Sequence, residues 1–138
     1  MKYGIGLFVL ATLVSILLLN PKVKKQTMAI MLNPNKQVLS QLEMVHQGVR
    51  YKVVKVQEMQ DLSVELFKIL DDELMFLDSR VLTDKKDAFY KFEDSQHNLF
   101  IKDLDGDGSL EIILPTLDKN MKARLNVFNF DPISEKLV

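Results

Sequence analysis

The first apolar run along the chain is continuous rather than periodic. Gly4 to Leu19 reads GIGLFVLATLVSILLL, sixteen residues without a charge, between Lys2 and the trio Lys22, Lys24 and Lys25. As a helix rising about 1.5 Å per residue it reaches roughly 24 Å, short of a hydrocarbon core of about 30 Å, so it spans with Tyr3 and Lys22 snorkelling or with the bilayer thinned. A cleaved signal peptide needs small residues just past its apolar core. Here that position is Leu18-Leu19-Asn20-Pro21, and the nearest small-residue site, Thr27 to Ala29, lies beyond three lysines. The pattern predicts an uncleaved signal anchor over residues 1–20, with secretion after cleavage as the alternative.

Periodicity begins at Asn33-Pro34, a capping residue followed by a proline suited to the first helical position. Val38, Leu39, Leu42 and Val45 share one helical face and Gly48 follows at a breaker position, which predicts a short amphipathic helix over about 34–47. Beyond Gly48 the period changes. Five of the eight residues 49–56 are Val or Tyr, and Val49-Arg50-Tyr51-Lys52-Val53 alternates, so residues 49–58 read as a strand with a bulge-like slip at Val53-Val54. A rival frame exists: positions 38 to 77 carry apolar residues at nine of twelve heptad places, the signature of a coiled-coil stalk. Gly48 inside it and Lys52, Ser63 and Glu73 in its seam argue for strands.

Leu62, Val64 and Leu66 alternate with Ser63 and Glu65, and Asp71-Asp72 separates two apolar runs, which predicts a hairpin turning at that pair. Residues 88–93, 98–104, 111–117 and 123–130 are further short apolar runs between turn-rich segments. Pro115 marks its run as an edge strand or a strand end. The expected fold is mainly β: a membrane helix (1–20), a basic linker with the amphipathic helix (21–47), then a small antiparallel β-meander of six or seven strands (48–138).

Charge sharpens this division. Residues 20–60 carry seven Lys and Arg against two Glu, net +5, whereas residues 61–138 carry ten against seventeen acidic residues, net −7. An acidic distal domain repels phosphate backbones, and the basic stretch 22–25 has no interleaved aromatics, so no nucleic-acid partner is expected. The chain has no cysteine, which removes disulfides, thiolate nucleophiles and Cys-ligated metals. His46 and His97, the only histidines, are not a spaced metal pair, and no nucleophile elbow, P-loop or dinucleotide fingerprint occurs. No catalytic residue or small-molecule substrate is assigned, and a binding protein is favoured over a secreted hydrolase.

One motif carries chemistry. Residues 103–111 read Asp-Leu-Asp-Gly-Asp-Gly-Ser-Leu-Glu. Calcium takes six to eight oxygen ligands at about 2.3–2.6 Å, and Asp103, Asp105 and Asp107 have the alternate spacing that converges on one ion. Gly106 and Gly108 permit the sharp turn, the Ser109 carbonyl is a further ligand, and Glu111 adds a carboxylate or holds a bound water. The twelfth position, a bidentate Glu in an EF-hand, is Leu114. That departure argues against a helix–loop–helix EF-hand, and an acidic turn without metal is the plain alternative.

The loop resembles the FG-GAP/VCBS repeat family, whose blades hold a DxDGDGxxD/E calcium loop between two β-strands. The resemblance covers about residues 88–132: NLFIK enters the loop, EIILPTLD leaves it and ARLNVFNFDP follows. It implies a single blade-like unit, extended by strands from 49–82, with Asp103, Asp105, Asp107 and Glu111 as side-chain ligands or near-ligands, Ser109 as a carbonyl ligand and calcium in a structural role. The positive-inside rule leans slightly towards a cytoplasmic C-terminal domain. Calcium sites of this kind need extracellular concentrations, and the expectation follows them: a single-pass protein of the cytoplasmic membrane held by residues 4–19, its β domain extracytoplasmic, engaging a protein partner or a second copy. The alternative is an accessory subunit of a membrane complex acting through its membrane helix and a stalk over 38–77.

Overall fold

The computed structural model describes residues 35–138, which form one compact unit, Asn35–Val138. The predicted anchor over 1–20, with its apolar run 4–19, and the basic residues 22–25 lie outside the described residues. Among the described residues there is no helix, and so none long and apolar enough to cross a membrane. The unit is mainly β, with every strand pairing antiparallel.

Four strands follow one another as a meander: β1 Lys36–His46, β2 Val49–Glu58, β3 Asp61–Leu70 and β4 Glu73–Val81, ordered β1-β2-β3-β4. Two-residue turns join them. Gln47 and Gly48 both have positive φ (50° and 77°), as do Asp71 and Asp72 (48° and 64°), the backbone of the hairpin turn whose twist matches that of the strands. The hairpin expected at Asp71-Asp72 and the strand expected over 49–58 are present.

The helix expected over 34–47 is not: residues 36–46 are β1, and Gly48 is the second residue of a hairpin turn rather than a helix stop. A bulge between Val38 and Ser40 explains the misleading spacing. A strand alternates faces, and one extra residue shifts its phase by one, so the apolar positions 38, 39, 42 and 45 mimic a helical face. The stalk over 38–77 falls with it, because that stretch is occupied by β1 to β4.

The remaining strands are β5 Lys86–Asp87, β6 Tyr90–Phe92, β7 Ser95–His97, β8 Phe100–Lys102, β9 Glu111–Leu117, β10 Ala123–Asp131 and β11 Lys136–Leu137. β6 and β7 make a separate two-stranded hairpin. The others build a second sheet, β11-β10-β9-β5, in which β8 also pairs with β9. Residues 36–81 therefore form a sheet of their own instead of extending the one that contains the acidic loop. Alternation explains this: Tyr51 and Val53 of β2 and Leu62, Val64 and Leu66 of β3 put one apolar face on the first sheet, which packs on Ile112, Leu114, Phe130 and Leu137 of the second. Side chains such as these each contribute about 1.5–3 kcal/mol on full burial.

Side chains also tie the sheets at their margins. Arg80 of β4 donates through Nε and Nη2 to the Leu137 carbonyl (3.0 and 2.6 Å), and the Leu137 N–H donates to Asp78 Oδ2 (3.0 Å). Pro115 sits in an interior strand, not an edge. It is paired with Leu125 of β10, but on the other side of β9 it falls between the segment paired with β8 and the segment paired with β5. A residue without an N–H is accepted where no neighbouring strand asks for one.

Lys55 fills that gap from the first sheet. Its side chain is 0 % exposed, and Nζ donates to the carbonyls of Pro115 (2.7 Å) and Asn98 (3.0 Å) and lies 2.5 Å from Asp87 Oδ1. Three acceptors match the three protons of an ammonium. Burial pushes the Lys55 pKa down from 10.5, and the Asp87 carboxylate opposes that shift.

Candidate metal centre

The acidic loop joins β8 to β9, and the last pair of that ladder, Lys102 opposite Glu111, holds its two ends together. Within it every carboxylate is positioned by backbone N–H groups of the loop itself. Asp103 accepts from Gly106 N through Oδ1 (2.7 Å) and from Gly108 N through Oδ2 (2.9 Å). Asp105 Oδ1 accepts from Asp107 N (3.2 Å), Asp107 Oδ1 from Ser109 N (2.7 Å), and Glu111 Oε2 from Leu104 N (2.7 Å). The chain reaches this shape because Gly106 and Gly108 hold φ of 79° and 88°, a left-handed conformation that costs other residues roughly 1–2 kcal/mol. Their glycine character serves the backbone turn alone, since a Cβ at either position would meet nothing within 4 Å.

Of the five residues the motif singles out, the structure brings three together. Carboxylate oxygens of Asp103, Asp105 and Glu111 lie within 4.8 Å of one another. Two oxygens on opposite sides of a calcium ion are separated by at most twice the bond length, about 5 Å, so this spacing is compatible with three of the six to eight ligands such an ion takes. Asp107 lies outside that trio. The Ser109 N–H and hydroxyl hold its carboxyl below the ordinary value of 3.8, with a smaller contribution from a hydrogen bond with Asp105. Ser109 enters the geometry through the N–H it gives to Asp107.

Burial separates the members further. Glu111 is 6 % exposed, Asp103 half-buried, and Asp105 and Asp107 exposed. Hydrogen bonds of this kind also occur in plain acidic turns, where short polar side chains take up local N–H groups. What a cation would add is relief of the repulsion between buried Glu111, held by the Leu104 N–H, and the two aspartates within 4.8 Å of it.

Other polar constellations were not selected from the sequence. The Lys55–Asp87–Asn98 group, with Asn98 Nδ2 donating to Asp87 Oδ2 at 2.8 Å, is one. A lysine inside the apolar run of β2 was its signal. Lys68 (2.5 Å) and, with a smaller effect, Tyr51 (3.2 Å) donate to Glu135 Oε1, holding that carboxyl below 4.5. His46 packs edge-on against Phe130 with ring centroids 5.8 Å apart, and its Nε2 is buried without a hydrogen-bond partner among the described residues. His97 is exposed on β7 beside Phe100.

Compared with protein-family models, with curated proteins and with solved structures, the chain has no significant match to any.

Proposed function

We propose that this chain is a membrane-anchored extracytoplasmic binding or scaffold protein, whose β domain carries a structural calcium ion in the loop 103–111. The observation that carries the reading is the convergence of Asp103, Asp105 and Glu111 within 4.8 Å, with Glu111 buried. The order strand, loop, strand, turn, strand through β8, β9 and β10 supports a likeness to one FG-GAP/VCBS unit. In this reading Asp103, Asp105 and Glu111 supply carboxylate oxygens, Asp107 orients the turn or completes the shell, and the Ser109 carbonyl is a further ligand. Calcium neutralises the repulsion among the carboxylates and locks the β8–β9 hairpin, so its role is stability rather than chemistry.

Placement outside the cytoplasm follows from affinity. An exposed loop with few buried ligands belongs among the weak extracellular sites, with dissociation constants of about 10⁻⁴–10⁻³ M, which a resting cytosol leaves empty. Residues 4–19 anchor the chain in the cytoplasmic membrane, and the β domain offers its surface to a protein partner or a second copy. No catalytic residue belongs to this reading.

Calorimetric titration of the full chain with calcium tests it. One ion per chain is expected, with a dissociation constant of about 10⁻⁴–10⁻³ M and no detectable binding in Asp105→Ala. A binding isotherm that survives Asp105→Ala unchanged would remove the loop from the account.

A further inference from the structure

We infer that the open cleft between Thr83–Lys86 and the β9–β10 turn is a second binding site, one for a phosphate-bearing anion. The cleft has a volume of about 470 Å³, within the 300–1,000 Å³ typical of small-molecule sites. Its cations are Lys85, Lys86, Lys119 and Arg124. They stand out against their background, because residues 35–138 carry fourteen Lys and Arg against nineteen Asp and Glu, net −5.

The carboxylates of the cleft are already committed to the protein. Asp84 is buried and accepts from Thr116 Oγ1 (2.8 Å). Asp118 is buried and caps the turn, taking the N–H groups of Asn120 (2.8 Å) and Lys122 (3.0 Å) and lying 3.3 Å from Arg124 Nη2. The lysines are not committed in the same way. Lys86 Nζ has only the Met121 thioether at 3.3 Å, a weak acceptor. Lys119 is exposed and makes no ion pair among the described residues, and Lys85 pairs with Asp61 where both are more than half exposed. An exposed pair of that kind contributes about 0–1 kcal/mol and yields readily to a better anion.

The cleft thus carries three lysines with weak or exposed partners beside two carboxylates that already hold hydrogen bonds. Thr83 and Asn120 add a hydroxyl and an amide to the three ammonium groups. Ammonium groups act on phosphate as mobile point charges, and several of them around one concavity favour a dianion over a single carboxylate. The ligand class is a phosphate ester, either a soluble phosphorylated metabolite or a phospholipid headgroup. The cleft lies at the opposite end of β9 from the acidic loop, and the inference does not depend on calcium.

The test is titration of the full chain, in an uncharged detergent at constant calcium and ionic strength, with glycerol 3-phosphate, followed by backbone amide chemical shifts. Saturable shifts confined to residues 83–86 and 117–124 are expected. Affinity should fall about tenfold in Lys86→Gln/Lys119→Gln and stay unchanged in Lys136→Gln, with a native amide spectrum in each variant. The headgroup diester glycerophosphoglycerol separates the sources: binding at least as tight as the monoester identifies a lipid headgroup, and weaker binding a soluble monoester. Shifts spread over lysines throughout the chain, shifts reproduced by chloride alone, or an affinity indifferent to the double substitution would each overturn the site.

Discussion

Lys55 and Glu111 are two of the buried ionisable side chains, and they differ in what satisfies them. Lys55 has three acceptors within 3.0 Å and no need of a ligand. Removing the lysine leaves the part-buried Asp87 carboxylate, 17 % exposed, without its cation, at a cost towards the lower end of the about 3–5 kcal/mol found for fully buried pairs. Lys55→Met should therefore lower the unfolding free energy by about that amount in urea titrations, and adding Asp87→Asn should restore much of it. If the double variant is as unstable as the single one, the loss is in packing rather than in the unpaired carboxylate. Neither partner was legible as such from the sequence. A lysine in an apolar run is visible, but the acceptors, Pro115 and Asn98 carbonyls and Asp87, come together only through the packing of two sheets. The convergence of Asp103, Asp105 and Glu111 rests on local spacing: the six residues from Asp103 to Gly108 fix the turn, and the ladder at Lys102 brings Glu111 back, whereas Asp107 stays outside the trio.

At the scale of elements, turns were easier to read than the first strand. Asp71-Asp72 between two alternating runs marked the β3–β4 hairpin, because aspartate tolerates the left-handed backbone that the turn requires. Gln47-Gly48 serves the same purpose for β1 and β2 with a less suited first residue, at φ 50°. Gln47→Asn would give the pair preferred in this turn and should raise stability by about 0.5 kcal/mol, seen as a higher urea midpoint at unchanged slope. A loss of stability would mean that the Gln47 side chain has a role beyond the turn. β1 was misread because its bulge at Val38–Ser40 breaks the two-residue period within the window that defines it. Pro115 was misplaced for a related reason: the rule that excludes proline from interior strands assumes a continuous neighbour, and β9 has a gap there that a side chain fills.

Across the whole molecule, acid stability follows from carboxylates that the fold holds ionised. Backbone N–H groups of Lys122 and Asn120, with Arg124, keep Asp118 below 3.8; the Ser134 hydroxyl and Ile133 N–H do the same for Asp131; Lys68 and then Tyr51 keep Glu135 below 4.5. A carboxylate with a depressed folded pKa contributes stability above its unfolded pKa and loses it as pH falls through the folded value. Thermal midpoints should thus be flat from neutrality down to about pH 5 and decline below about pH 4, and Asp118→Asn should make that decline shallower. An Asp118→Asn curve parallel to that of the native protein would show that the capped turn does not couple to folding. The two-sheet arrangement itself was not foreseen from the sequence, since alternation tells which residues share a face but not which face meets another.

If a cation completes the loop 103–111, thermal unfolding of the full chain with calcium and then with chelator will register it as a change in midpoint. At a calcium concentration about a hundredfold above the dissociation constant, binding to the folded state alone adds about 2.7 kcal/mol, a rise of roughly 10 °C for a domain of this size. That rise is expected for the native protein and is expected to be absent in Asp103→Asn and Asp105→Ala. A midpoint that ignores calcium while the protein remains folded would contradict it and leave the loop an acidic turn held by its own hydrogen bonds.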